Sequence, residues 1–301
     1  MKIRLLHRSL LCALFFLAVA CSRNDRETDS EIDSGQPVVT FGGKPTNGDA
    51  LSLPSGQPID GIGFDLSLDT DLEAREFSEL SPEAKAELQK LIADFHQYPN
   101  RRSEILEQIE SDYYGKEILP LIREILGMGD ESLSLQAVEA LAGNTSPDVI
   151  PVLDSALKNS SEEVRLSAIL AASQVRDEAF VGFIGKAFND TAESVRLTSL
   201  DVLENQTRNN RLKIYDVAMD SAYSDVNMAA IVALEMEASP DSIEILIKGL
   251  DSPNADVRAE AQVSLEFQLD QTFDTAAQAR EWWTKNRNRY DQELFLKETG
   301  S

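Results

Sequence analysis

Imidazole and thiol chemistry have little to work with in this chain, whose 301 residues hold two His and two Cys. His96 stands in Phe95-His96-Gln97-Tyr98-Pro99. As a general base it would need a nucleophile within hydrogen-bond reach, and no motif supplies one. The pattern around it ends a helix, where the macrodipole favours an imidazolium, so His96 reads as a surface residue. Carboxylates are the abundant reactive group: 52 Asp and Glu stand against 28 Lys and Arg, giving a net charge of -24 and a pI near 4.4. Two carboxylates held about 5–9 Å apart would suit glycoside hydrolysis, yet no motif nominates a pair. Asp65, Asp69, Asp71 and Glu73 suggest calcium, but the sixth position from Asp69 is Ala74 where an EF-hand-type loop needs Gly. That stretch reads as a solvated acidic loop. With no Gly-rich phosphate loop either, the sequence implies no metal and no cofactor. The acidic balance also argues against a phosphate-tracking nucleic-acid surface.

One set of carboxylates has a spacing that demands an architectural account. Glu204, Glu235 and Glu266 are each 31 residues apart. The same period runs through apolar positions. Leu133, Val164, Val195, Val226 and Val257 form one column, Ala137, Ala168, Ser199, Ala230 and Ala261 a second, and Leu141, Ala172, Leu203, Leu234 and Leu265 a third. Upstream in each unit, Leu119, Ile150, Val181, Leu212 and Ile243 keep step. So do Ile122, Leu153, Ile184, Tyr215 and Leu246, and Leu126, Leu157, Phe188, Met219 and Leu250. Within a unit the spacings of 3, 4 and 7 place these residues on one helical face. Ser146-Pro147-Asp148 and Ser239-Pro240-Asp241, three periods apart, read as helix starts. Each unit is then a helical hairpin that cannot cover its own apolar face, and stacking five of them over residues 117–270 gives a one-dimensional solenoid.

These units resemble the short HEAT-like repeats of bacteria, whose second helix opens on a Val-Arg pair followed by spaced Ala. Here the pattern is Val164-Arg165 with Ala168 and Ala171, Val195-Arg196, and Val257-Arg258 with Ala261; Val226-Asn227 and Leu133-Ser134 depart from it. The resemblance implies that Arg165, Arg196 and Arg258 support repeat-to-repeat contacts. Some HEAT-like enzymes bind iron through repeated His-Glu pairs, and this chain has no such pair. Bilin lyases share the repeat type, but a cytosolic role does not suit a secreted chain.

The ends read as caps. Leu88, Leu91 and Phe95 precede Leu119, Ile122 and Leu126 by 31 residues, while Arg102 stands where Val belongs, so the first unit is degenerate. Ser81 with Pro82 marks its first helix start. Thr275-Ala276-Ala277-Gln278 is a capping-box pattern opening a helix with Trp282-Trp283, whose rings would cover the last apolar face.

The beginning of the chain carries an address. Lys2, Arg4 and Arg8 precede an uncharged, mostly apolar stretch, Ser9 to Ala20, too short to span a bilayer and suited to a secretory signal. Leu17-Ala18-Val19-Ala20-Cys21 resembles a bacterial lipobox. The resemblance implies cleavage before Cys21 and lipid attachment to that Cys. Removing residues 1–20 takes away three bases and no acid, which moves the charge from -24 to -27. Ser22 to about Leu80 is rich in Ser, Asp, Gly and Pro, a composition that does not offset its ordering entropy. As a coil its ends would lie roughly 40 Å apart. Within it, Ile62, Phe64, Leu66 and Leu68 alternate like a strand, and residues 59–77 are a candidate for docking on the solenoid.

The expectation is an all-α protein, an α-solenoid of HEAT-like helical hairpins preceded by a disordered tether. Its segments are a signal over 1–20, a lipid-anchored linker over 21–80, a helical cap over 81–116, five repeats over 117–270, and a Trp-containing terminal helix and tail over 271–301. The function expected is non-enzymatic, a scaffold or adaptor in a bacterial envelope, held to the outer membrane through Cys21. Its partners would be a protein with a cationic surface and the membrane, and not nucleic acid. Glu204, Glu235 and Glu266 are then either an acidic ladder for that partner or a solvated face, and Lys285, Arg287 and Arg289 are near enough in sequence to neutralise part of it. The rivals are an enzyme or enzyme subunit using carboxylates and a mechanical spacer without a specific partner.

Overall fold

The computed structural model describes residues 74–297. The signal, Cys21 and the strand-like residues Ile62 to Leu68 lie outside the described residues. Helix starts follow from side chains that accept from the free N–H groups of a first turn. Ser81 caps α1 (Pro82–Gln97) by accepting from the Ala84 amide, and Asp130 caps α4 (Glu131–Glu139) through that of Leu133. Ser161 caps α6 (Glu162–Ala172), Asp177 caps α7 (Glu178–Ala187), and Thr207 caps α9 (Arg208–Ala218). Ser239 and Ser242 form a reciprocal capping box at α11 (Pro240–Gly249), and Asn254 caps α12 (Ala255–Leu269). Thr275 accepts from the Gln278 amide at α13 (Ala276–Asn286), while the Gln278 carboxamide oxygen reaches the Asp274 amide, one residue before the cap. The remaining helices are α2 (Arg102–Asp112), α3 (Leu119–Leu126), α5 (Ile150–Ala156), α8 (Glu193–Asp201) and α10 (Ser224–Met236). Ser146-Pro147-Asp148 opens a 3₁₀ turn that feeds α5.

The helices stack in two layers. The first helices α3, α5, α7, α9 and α11 pack neighbour on neighbour, and α13 follows α11 in the same layer. The second helices α2, α4, α6, α8, α10 and α12 form the other layer. Each of α4, α6, α8, α10 and α12 also packs against the first helix of its own hairpin, so the apolar columns meet between the layers. The columns beginning at Leu133, Ala137 and Leu141 are buried in all five units, as is the column from Ile122 to Leu246. Ser199 enters the Ala column without an orphaned hydroxyl because it donates back to the Val195 carbonyl. The helical cap is itself a hairpin, α1 on α2, and α2 continues the second-helix layer against α4. At the last unit, Trp283 is buried and meets Tyr290 at 5.7 Å between ring centroids, and Trp282 meets Phe273 at 5.6 Å.

Residues 74–80, the end of the expected linker, lie on the solenoid. The Arg75 amide donates to the Gly143 carbonyl, and the Thr145 amide donates to that of Arg75, at 2.8 and 2.9 Å. The Arg75 guanidinium covers the Tyr114 ring at 3.9 Å, and Phe77 packs on the same ring. The described part of the 59–77 docking candidate therefore sits against the turns that follow α2 and α4.

Tyr215 is the one aromatic in its column, and burial, with Glu237 adding to it, pushes its hydroxyl from the usual 10 up to about 12. The folded state holds that proton where the unfolded chain has released it. Stability from this group is therefore intact below pH 10 and lost as pH rises toward about 12. The expected loss is about 2–3 kcal/mol. Urea unfolding of the parent and Tyr215→Phe across this window checks it: only the parent should lose this increment.

Candidate interaction surface

The second-helix layer carries the acidic column, and its three members have different surroundings. Glu204 is exposed in a 3₁₀ turn, Val202–Asn205, because α8 tightens after Asp201. Glu235 lies in the last turn of α10 and accepts from the Ser264 hydroxyl of the next unit at 2.6 Å. Glu266 is exposed near the end of α12. None of the three is in an ion pair among the described residues. The cations of the terminal helix do not neutralise the column as the sequence suggested. Lys285 pairs with Glu281, Arg287 with Glu244, and Arg289 donates to the Asn286 carboxamide. Arg287 reaches Glu244 because α13 packs on α11 in the first-helix layer.

The arginines of the Val-Arg pairs sit where the two helices of a hairpin meet. Arg165 donates to the Asn159 and Ser160 carbonyls of its own turn and forks onto Asp190 of the next unit at 2.7 and 2.9 Å. About a tenth of each side chain is exposed, so this is a buried bidentate pair. Arg196 donates to the Asp190 and Thr191 carbonyls, pairs with Asp225 and lies 3.9 Å above the Tyr223 ring. Arg258 departs from this pattern. It closes its own turn through the Ser252 and Pro253 carbonyls and takes part in no ion pair among the described residues, since α12 is the last second helix. Asn227, at the same place in the fourth unit, bonds the Ala218 carbonyl at 2.8 Å. Ser134, its counterpart in the first unit, is buried with an unpartnered hydroxyl.

The first-helix layer has a second set of links that the column reading did not register. Lys186 reaches back to Asp154, Lys213 to Glu178, and Lys248 to both Asp216 and Asp220. The signal was available: Asp154 and Asp216 are 62 residues apart, two periods, and so are Lys186 and Lys248. These pairs continue to the end of the stack, where Arg280 meets Asp251 and Arg287 meets Glu244. There α11 and α13 enclose a cleft of about 640 Å³ with Lys248, Arg280 and Arg287 on its wall. Each of those cations already has a carboxylate partner, so the cleft presents little free charge.

Charge is arranged differently in the two layers. Among the first helices, Lys186, Lys213 and Lys248 meet acids of α5, α7 and α9, Arg208 and Arg211 pair with Glu237 just after α10, and Arg123 is in no ion pair among the described residues. The second helices leave Glu204 and Glu266 exposed, and beside them stand apolar residues that sequence reasoning assigned no role. Met236 follows Glu235 and is 85% exposed; Phe267 follows Glu266 and is 40% exposed. Val263, one turn before Phe267, is exposed too. Met236 and Phe267 are one period apart, so they occupy equivalent places on adjacent helices.

His96 is exposed and its Nε2 meets the Glu124 carboxylate at 3.1 Å. No group of three His, Cys, Asp or Glu among the described residues could hold a metal ion. No helix among them is long and apolar enough to cross a membrane. The carboxylates Asp65, Asp69, Asp71 and Glu73 lie outside the described residues.

A family model described as HEAT repeats matches residues 118–204. The match begins at the turn before α3 and ends in the 3₁₀ turn after α8, which covers three hairpins. Two further hairpins, α9–α10 and α11–α12, continue the same two layers. No curated protein matches the chain.

Proposed function

We propose that this HEAT-like solenoid is a non-enzymatic scaffold or adaptor of a bacterial envelope. In this reading it is held to the outer membrane by an acylated Cys21, and its second-helix face receives a protein with a cationic surface. The observation that carries it is the pair of exposed carboxylates, Glu204 and Glu266, that stand outside any ion pair among the described residues on the second-helix layer. A partner meeting the first-helix face must compete with the Lys186–Asp154, Lys213–Glu178 and Lys248–Asp216 pairs. HEAT repeats generally serve protein–protein contact, and stacked units provide a long surface for it.

Affinity capture from gently solubilised membranes tests the face. Glu204→Lys/Glu266→Lys leaves the Glu235–Ser264 bond in place, so equal helicity of parent and variant is expected. A partner captured by the parent and lost by the variant supports the reading. A partner retained by both removes the acidic ladder. Absence of any partner moves the case to the spacer or to a carboxylate enzyme. Incorporation of radiolabelled palmitate into the parent and Cys21→Ser checks the anchor: label on the parent and none on the variant is expected.

A further inference from the structure

Exposed large apolar side chains are few, and five of the six among the described residues fall into two groups. Met236, Val263 and Phe267 form the first, at the end of the second-helix layer. Glu235 and Glu266 stand next to Met236 and Phe267 near the ends of α10 and α12, while Glu237, on the other side of Met236, is engaged by Arg208 and Arg211, so the margin of this apolar group carries the acids Glu235 and Glu266. Phe295 and Leu296 form the second group, 54% and 58% exposed. They lie in a short hairpin after α13, flanked by Arg289 and Lys297. These two cations are in no ion pair among the described residues; they donate to Asn286 and to the Asn288 carbonyl.

The hairpin is built to hold those rings and chains outward. Tyr290 and Leu296 form an antiparallel bridge. The Asp291 amide donates to the Phe295 carbonyl at 2.9 Å and the Lys297 amide to the Arg289 carbonyl at 2.8 Å. The Asp291 carboxylate is occupied by the Glu293 and Phe295 amides. A fixed loop loses little conformational freedom on docking, and adjacent exposed apolar side chains at a structured site mark contact surfaces.

We propose that this chain pairs with a second copy of itself, the Phe295–Leu296 hairpin of each copy seated on the Met236–Val263–Phe267 group of the other. The apolar groups meet, while Arg289 and Lys297 face Glu235 and Glu266 beside them. Glu293 is the acid on the exposed side of the hairpin, so the apolar contact supplies the affinity and the cations orient it. Mutual exchange closes the pair with two equivalent contacts. This goes beyond the scaffold reading, because it needs no outside partner and rests on the apolar groups.

Sedimentation of the full chain in density-matched detergent tests it. The parent is expected to be a dimer at tens of micromolar. Phe295→Ser/Leu296→Ser and Met236→Ser/Phe267→Ser, on opposite sides of the contact, should each weaken it by about tenfold or more. Mixing the two variants should recover a heterodimer, because one intact contact of the two remains. A parent that stays monomeric at several hundred micromolar overturns the proposal. So does a dimer that neither variant weakens.

Discussion

Arg165→Ala is expected to lower the unfolding free energy by ~3–5 kcal/mol, the range for breaking one side of a buried ion pair. The loss has three parts. The Asn159 and Ser160 carbonyls lose a charged donor, the Asp190 carboxylate is left almost buried without its fork, and the tie from one unit to the next is cut. Arg165→Lys should recover only part of it, since an ammonium cannot fork onto a carboxylate and reach two carbonyls in the same plane. Arg258→Ala should cost ~1 kcal/mol, the worth of hydrogen bonds within one turn. Urea denaturation of the three variants checks the order. Equal losses at Arg165 and Arg258 would show that the next-unit carboxylate contributes nothing.

Trp283→Ala is the second large effect, expected at ~3–5 kcal/mol for removal of a buried indole. The cost should be local at first. In a stack where units hold only their neighbours, losing the ring uncovers α11 and α12 before it reaches α3. Hydrogen exchange should therefore accelerate over 240–269 while 131–172 remains protected. Trp283→Phe separates packing from polarity. The indole N–H is buried and has no acceptor, so replacing it removes an unsatisfied donor worth ~1–3 kcal/mol against the lost area. The Phe variant should stay within ~1.5 kcal/mol of the parent, as a shape-tolerant apolar exchange does. A loss as large as that of the Ala variant would mean that the N–H is satisfied in solution.

Periodicity made the layers readable because burial repeats wherever the chain repeats. The Val, Ala and Leu columns of the second helices needed nothing beyond counting. Their ends were less readable. Val202 and Leu203 fit the period, so nothing in the apolar pattern announced that α8 tightens into a 3₁₀ turn and carries Glu204 with it. The acids that meet Arg165 and Arg196 were hidden for another reason. Asp190 is 25 residues after its arginine and Asp225 is 29 after its own, so no single offset finds both. The Lys–Asp links of the first helices did keep the period, and a search of charged columns would have found them. Met236 and Phe267 kept it as well, but apolar residues at helical spacing are read as core, and exposure is decided by the stack. Residues 75–78 looked like linker by composition, because their partners at 114 and 143–145 are distant in sequence.

That last contact decides how the molecule would bear a pull. Tension arriving from the residues before 74 meets Arg75 first, and its bonds run to Gly143 and Thr145 in the turn after α4. Ser78, bonded to the Tyr114 carbonyl, comes next, and α1 only after both. Load therefore enters between the α3–α4 and α5–α6 hairpins, and the α1–α2 hairpin is shielded until the strap lets go. Forced unfolding is governed by the rate of the first opening step. The strap, and not the terminal helix, would set the force at which the solenoid begins to peel.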